Sequence, residues 1–132
     1  MKALVTKDIG NIGERAAAKH LKRLGYRIVA KNRHYGKNEL DLIVRDRECI
    51  AFVEVKALTF ADPAEIDKHP AMKVNMEKRR RTVEAAMAYL SENPSRLCTR
   101  FDVVEVFLDR STMKPFRIHH IPDAFSAKGE IR

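Results

Sequence analysis

The sequence predicts an α/β sandwich: a mixed sheet flanked by helices, in the order helix, three strands, helix, two strands (αβββαββ). Three observations carry this expectation. Residues 8–24 and 74–92 space their apolar side chains as helices do. Five short runs rich in Val, Ile, Leu and Phe lie between and after them. Two of those runs are joined only by the polar stretch "RDRE", the mark of an antiparallel hairpin.

The first helix, "DIGNIGERAAAKHLKRL", places Ile9, Ile12, Ala16, Ala17, Leu21 and Leu24 on one face. Arg15, Lys19, Lys22 and Arg23 lie opposite, Asp8 can cap the start and Gly25 can end it. A strand follows from Tyr26 to about Asn32, and "YGKN" is a turn signal. "ELDLIVRD" and "ECIAFVEVKAL" read as the second and third strands, turning at Arg45 to Arg47. Residues 59–73 contain Pro63 and Pro70, which interrupt any long helix, and read as a long mobile loop with a short helical turn. The second helix spans Val74 to Glu92, strongly basic in its first half, and "NPSR" ends it. "RFDVVEVFLD" and the shorter "FRIHHI" are the last strands, and residues 122–132 read as a loose tail.

At 132 residues the expectation is a single domain, 1–132, able to bury about two thirds of its unfolded surface. The net charge of +8 and the sequence pI near 9.7 favour a polyanionic partner such as nucleic acid. Cys49 and Cys98 form no CxxC pair, so a zinc knuckle is unsupported, and two scattered thiols suit a reducing compartment. The start "MKALVTKDIG" has no signal-peptide core, and no run approaches the ~18 apolar residues of a membrane span. A cytoplasmic protein without membrane attachment is expected.

The chemistry concentrates in the hairpin. Glu54 and Lys56 are two apart and share one face of the third strand with Ile50 and Phe52, while Val53, Val55 and Ala57 take the other. Asp41 starts the second strand, with Leu40 and Leu42 expected to point away from it. Antiparallel pairing brings Asp41 toward Glu54 and Lys56 at the end away from the turn. Two adjacent carboxylates repel unless one takes a proton or a cation sits between them. Mg²⁺ suits such oxygen ligands, and the ammonium can steady phosphate charge or orient a water. An E-x-K triplet alone is common and equally describes a solvated ion pair. Asp41 and the apolar lead-in "CIAFV" are what sharpen it.

Taken together, "GNIGE" opening a helix, the "N-R" pair, "ELDLI", "FVEVK", "KRRR" opening a second helix and "RFDVV" resemble the bacterial YraN family over Gly10 to about Phe125. That family is similar in fold to archaeal Holliday junction resolvases and restriction endonucleases. The resemblance implies a PD-(D/E)xK nuclease core using Mg²⁺ or Mn²⁺, with Asp41, Glu54 and Lys56 as its motif residues. It also implies Glu14 as a further catalytic and metal-binding acid, Glu39 as the acid of a G-E-I-D pattern, and Lys78 as a phosphate contact. The chain departs from the pattern at Asn38, where the family has Gly, and at Leu58, where it often has Arg.

Metal ligands are thus expected at Asp41, Glu54 and Glu14, with Lys56 completing the catalytic set. Nucleic-acid contacts are expected from Lys78, Arg79, Arg80, Arg81, Lys19 and Arg33. Four consecutive cations near a helix N-terminus are electrostatically awkward, and phosphate would relieve them. Each feature also has a plainer reading: Glu14 can simply favour the helix dipole, and Lys78 to Arg81 can be a solvated face. His119 and His120, adjacent on an edge strand, point to opposite faces and read as surface or packing. His34 and Tyr35 are candidates for substrate contact. Asp102 is expected to pair with Arg100 or another cation. The functional expectation is a metal-dependent endonuclease on DNA, as a homodimer if it resolves junctions. The alternatives are an inactive nucleic-acid-binding module on the same fold, or a basic domain that docks an acidic protein.

Overall fold

The computed structural model describes residues 6–68 and 74–132. Its elements are α1 (Thr6–Arg23), β1 (Arg27–Tyr35), β2 (Asn38–Arg45), β3 (Cys49–Phe60), a 3-10 helix (Pro63–Lys68), α2 (Met76–Glu92), β4 (Cys98–Asp109) and β5 (Pro115–Phe125). Helices and strands follow the expected αβββαββ order. The strands form one sheet in the order β1-β2-β3-β4-β5. Only β3 and β4 run parallel, because α2 carries the chain back between them. The other neighbours are antiparallel, so the sheet is mixed.

One helix covers each face. Ala17, Ala18 and Leu21 of α1 pack on Leu42, Val44, Ala51, Val53, Val104, Val106 and Leu108. Ala85, Ala86 and Tyr89 of α2 pack on Leu40, Ile43, Ile50, Phe52, Phe101, Val103 and Phe125. Strand alternation explains the division on β3, where Ile50 and Phe52 face α2 and Ala51 and Val53 face α1. Gly25 ends α1 at φ 97, with Tyr26 N–H donating to Leu21 O (3.0 Å) and Gly25 N–H to Lys22 O (3.0 Å), the paired bonds of a Schellman turn. Asp8 lies inside the first turn rather than before it, where its charge still suits the dipole. Asn75 caps α2 by accepting from Lys78 N–H at 2.8 Å, so this helix begins two residues later than its periodicity suggested.

Three boundaries differ from expectation. β1 continues to Tyr35 through Asn32, which adopts φ 49. β3 continues to Phe60, and of the expected loop residues 69–73 lie outside the described residues. The tail expected to be loose is paired: β5 runs through Pro122 to Phe125, Phe125 bridges Ile131, and Ala124 and Phe125 are buried. Proline is tolerated there because β5 is an edge strand and its register is irregular at that point.

Candidate active site

β2 and β3 pair from Arg45↔Ile50 to Leu42↔Val53, and there the ladder stops. Beyond that point β2 stays with β1 as far as Tyr35↔Asn38, while β3 stays with β4 as far as Phe60↔Asp109. The two ribbons part, and the acids stand at the fork. Asp41 Oδ2 accepts the backbone N–H of Val55 at 2.9 Å, replacing a ladder partner that β2 no longer offers. The face alternation expected of β2 breaks here. Leu40 packs with the α2 core and Leu42 with the α1 core, so the two do not share a face. Opposite the break sits Asn32, between the pairs Lys31↔Leu42 and Arg33↔Leu40. Asn accepts a left-handed backbone more readily than most residues.

Glu14 reaches the fork from α1. The helix can lie close because Gly13 has no side chain: a Cβ there would stand 2.7 Å from Ala57 Cβ on β3. With its amide oriented to suit its neighbours, Asn32 donates to Glu14 Oε2 (3.0 Å) and Glu39 Oε1 (3.2 Å). Glu14, Glu39 and Asp41 each offer a carboxylate oxygen, all within 4.8 Å of one another. Glu54 stands outside this trio, close enough for the Asp41 charge to raise its carboxyl, and its Oε1 lies 3.5 Å from Lys78 Nζ.

Both Asp41 and Glu54 are buried, at 9% and 6% exposure. Burial pushes the Glu54 carboxyl up to about 8, the Asp41 charge adds to this, and Lys78 opposes it. Burial also raises Asp41, partly offset by the Val55 N–H. Glu14 is raised by burial and then by Asp41, with the Asn32 amide opposing. Burial and mutual repulsion thus raise all three carboxyls. Lys56 is half-buried and lines a cleft of about 380 Å³ with Glu54, Asn75 and Lys78.

The expected cation cluster does not hold together. Lys78 faces Glu54. Arg79 is buried, donating Nε to Gly129 O (2.7 Å) and Nη1 to Val74 O (2.6 Å), so it ties the tail to α2 instead of meeting phosphate. Successive helical residues point about 100° apart, which sends one of any four cations inward. Arg80 is exposed, and Arg81 pairs with Glu77 on the surface. Lys19 lies in a separate cleft beside β5, and Arg33 is exposed on β1. Of the candidate substrate contacts, His34 is exposed while Tyr35 packs against the α2 core.

Asp102 pairs as expected. It is fully buried and accepts from Arg100 Nε (2.9 Å) and Nη2 (2.8 Å) and from Asp123 N–H (3.0 Å). His120 Nε2 lies 2.7 Å from the same carboxylate, so this histidine belongs to a buried network and not to the surface. Two residues were given no role from the sequence. Asn32 bridges two acids. Glu105, buried at 1% exposure, is the register partner of Lys56 and lies 3.0 Å from His119 Nδ1. Its one signal was an acid inside the apolar run "DVVEVFL".

The sequence model of the uncharacterised protein family UPF0102 matches residues 13–106. The chain is 38% identical over 131 residues to a UPF0102 protein of Prosthecochloris aestuarii, covering 96% of this chain and 99% of that one. It is 39% identical over 123 residues to a UPF0102 protein of Chlorobaculum tepidum, covering 89% and 91%. A UPF0102 protein of Rhodopirellula baltica is 40% identical over 125 residues, covering 92% of this chain and 72% of that one. The matched span, residues 13–106, contains every acid of the fork. Among the described residues, no helix is long and apolar enough to cross a membrane.

Proposed function

The chain belongs to the protein family UPF0102, and on the geometry of its acidic fork we propose that it is a divalent-metal-dependent phosphodiesterase acting on DNA. The observation that supports this most is the meeting of Glu14, Glu39 and Asp41 oxygens within 4.8 Å, with Glu54 buried beside them. Hard carboxylate oxygens fit Mg²⁺ or Mn²⁺, with one or two binding the ion directly and water and phosphate filling the rest of its shell. Asp41 is common to both groupings, so Asp41 with Glu14, Glu39 or Glu54 would hold the ion. When bound, such an ion supplies Lewis-acid polarisation of a phosphoryl oxygen.

The chain's own groups do the rest. Asp41 is held in place by the Val55 N–H, and Asn32 fixes Glu14 relative to Glu39. Lys56 Nζ, on the same face as Glu54, donates toward the phosphoryl oxygens or the attacking water. Lys78 Nζ stands 3.5 Å from Glu54 in the metal-free chain and would turn to phosphate once the acid took a metal. The fold implied by the resemblance, that of junction-resolving nucleases, agrees with this division of labour.

One observation favours a second reading. Lys78 already sits 3.5 Å from Glu54, so the acid has a counter-charge without any metal, as an inactive DNA-binding module would require. One assay separates the two. Labelled branched, duplex and single-stranded DNA are incubated with Mg²⁺ or Mn²⁺, beside Glu54→Ala and Lys56→Ala variants. Metal-dependent cutting lost in both variants supports the phosphodiesterase. Binding without cutting supports the module.

A further inference from the structure

The helix α1 is a ridge between two clefts. On one side Glu14 and Asn32 open onto a cleft of about 220 Å³ that also includes Arg15 and Lys31. On the other side a larger cleft of about 420 Å³ runs between α1 and the edge strand β5. Lys19, His20 and Arg23 line it from the helix and Pro115, Arg117 and Ile118 from the strand. No acid is among its lining residues. Lys19, Arg23 and Arg117 are exposed, and none pairs with a carboxylate among the described residues.

We propose that this α1/β5 cleft is a second DNA-backbone site, in which phosphates of a strand leaving the acidic fork across α1 seat on Lys19, Arg23 and Arg117. Unpaired exposed cations around a groove with no opposing acid repel one another, and a polyanion relieves that repulsion while releasing its own counterions. The ridge is continuous in charge, since Arg15, Lys19, Lys22 and Arg23 all lie on exposed positions of α1. From Glu14 to Arg23 the axis advances ~13.5 Å at 1.5 Å per residue, about four base-pair steps at 3.4 Å. The identity of the anion rests on the phosphodiester reading of the fork, but the site itself requires no cleavage.

The test is accordingly a binding measurement in EDTA. Fluorescence anisotropy of a labelled 20-base-pair duplex is followed between 50 and 200 mM salt for the wild type, for Lys19→Gln/Arg117→Gln, and for Arg47→Gln/Arg96→Gln. The last pair removes the same charge from exposed positions outside the cleft. The cleft variant should bind at least ten-fold more weakly at 100 mM salt, with a log–log salt slope shallower by about 1.8, while the control keeps the wild-type slope. Equal effects of the two variants would reduce the cleft to net charge and overturn the proposal. So would competition by poly-glutamate as effective as that by unlabelled duplex, which would mark the cleft as a dock for an acidic protein. An Arg23→Gln single variant, with a slope change of about 0.9, guards against an altered fold in the double one. Absence of cutting in the nuclease assay would leave this result standing.

Discussion

Asp41 Oδ2 holds the backbone N–H of Val55 at 2.9 Å, and that bond ties one acid to the residue next to the other. The backbone of β3 continues into Glu54 on one side of Val55 and Lys56 on the other. Asp41 thereby acts as the missing rung of the ladder and as a charged group of the site at once. Replacing it with Asn keeps an acceptor for Val55 and removes the charge. Asp41→Asn should fold with near wild-type stability, while Asp41→Ala should lose about 1–2 kcal/mol by leaving that N–H without a partner. Urea unfolding of both variants checks this.

The Glu54 carboxyl, pushed up to about 8 from its ordinary 4.5, gives the metal-free chain a pH signature. Between those values the folded chain holds a proton that the unfolded chain has released, so stability falls as pH rises through the window. Melting temperature without metal should drop from pH 5 toward pH 8.5. Glu54→Gln should flatten that profile and raise Tm at the alkaline end. Added Mn²⁺ should help the wild type most at the alkaline end, where the carboxylate is free of its proton.

Gly13 sets the approach of α1. Gly13→Ala drives a methyl to 2.7 Å from Ala57 Cβ, and should lose about 1–3 kcal/mol while shifting Glu14 out of the acid cluster. Gly13→Ala/Ala57→Gly should recover most of the loss. A double-mutant cycle in denaturant measures the coupling.

Arg79 predicts a contrast with its neighbour. Arg79→Ala removes two hydrogen bonds to buried carbonyls and should lose about 2–3 kcal/mol. It should also expose the segment after Phe125 to limited proteolysis. Arg80→Ala, on an exposed position, should change neither stability nor proteolysis.

Sequence periodicity was enough for the element order, because each helix and strand buries one consistent face. It also put Glu54 and Lys56 on one face of β3 with Ile50 and Phe52, and those two apolar residues pack in the α2 core. It did not reveal the fork. A break in strand pairing leaves no mark in alternation until the partner is known, and Leu40 and Leu42 look alike in sequence though they serve opposite cores. Asn32 was illegible for the same reason, since its φ of 49 answers to β2 across from it. Pro122 hid the end of β5 because proline argues against a strand, except on an edge. The run from Lys78 to Arg81 read as one surface, but on a helix adjacent residues diverge, and Arg79 turned inward.

A crystal of this chain soaked in Mn²⁺ at pH 8.5 tests the centre of the account. The anomalous difference map should show one strong peak bounded by Asp41, with oxygens of Glu14, Glu39 or Glu54 within about 2.3 Å, and Lys78 displaced from Glu54. A saturating soak that leaves the fork without a peak, and Lys78 still on Glu54, would contradict it.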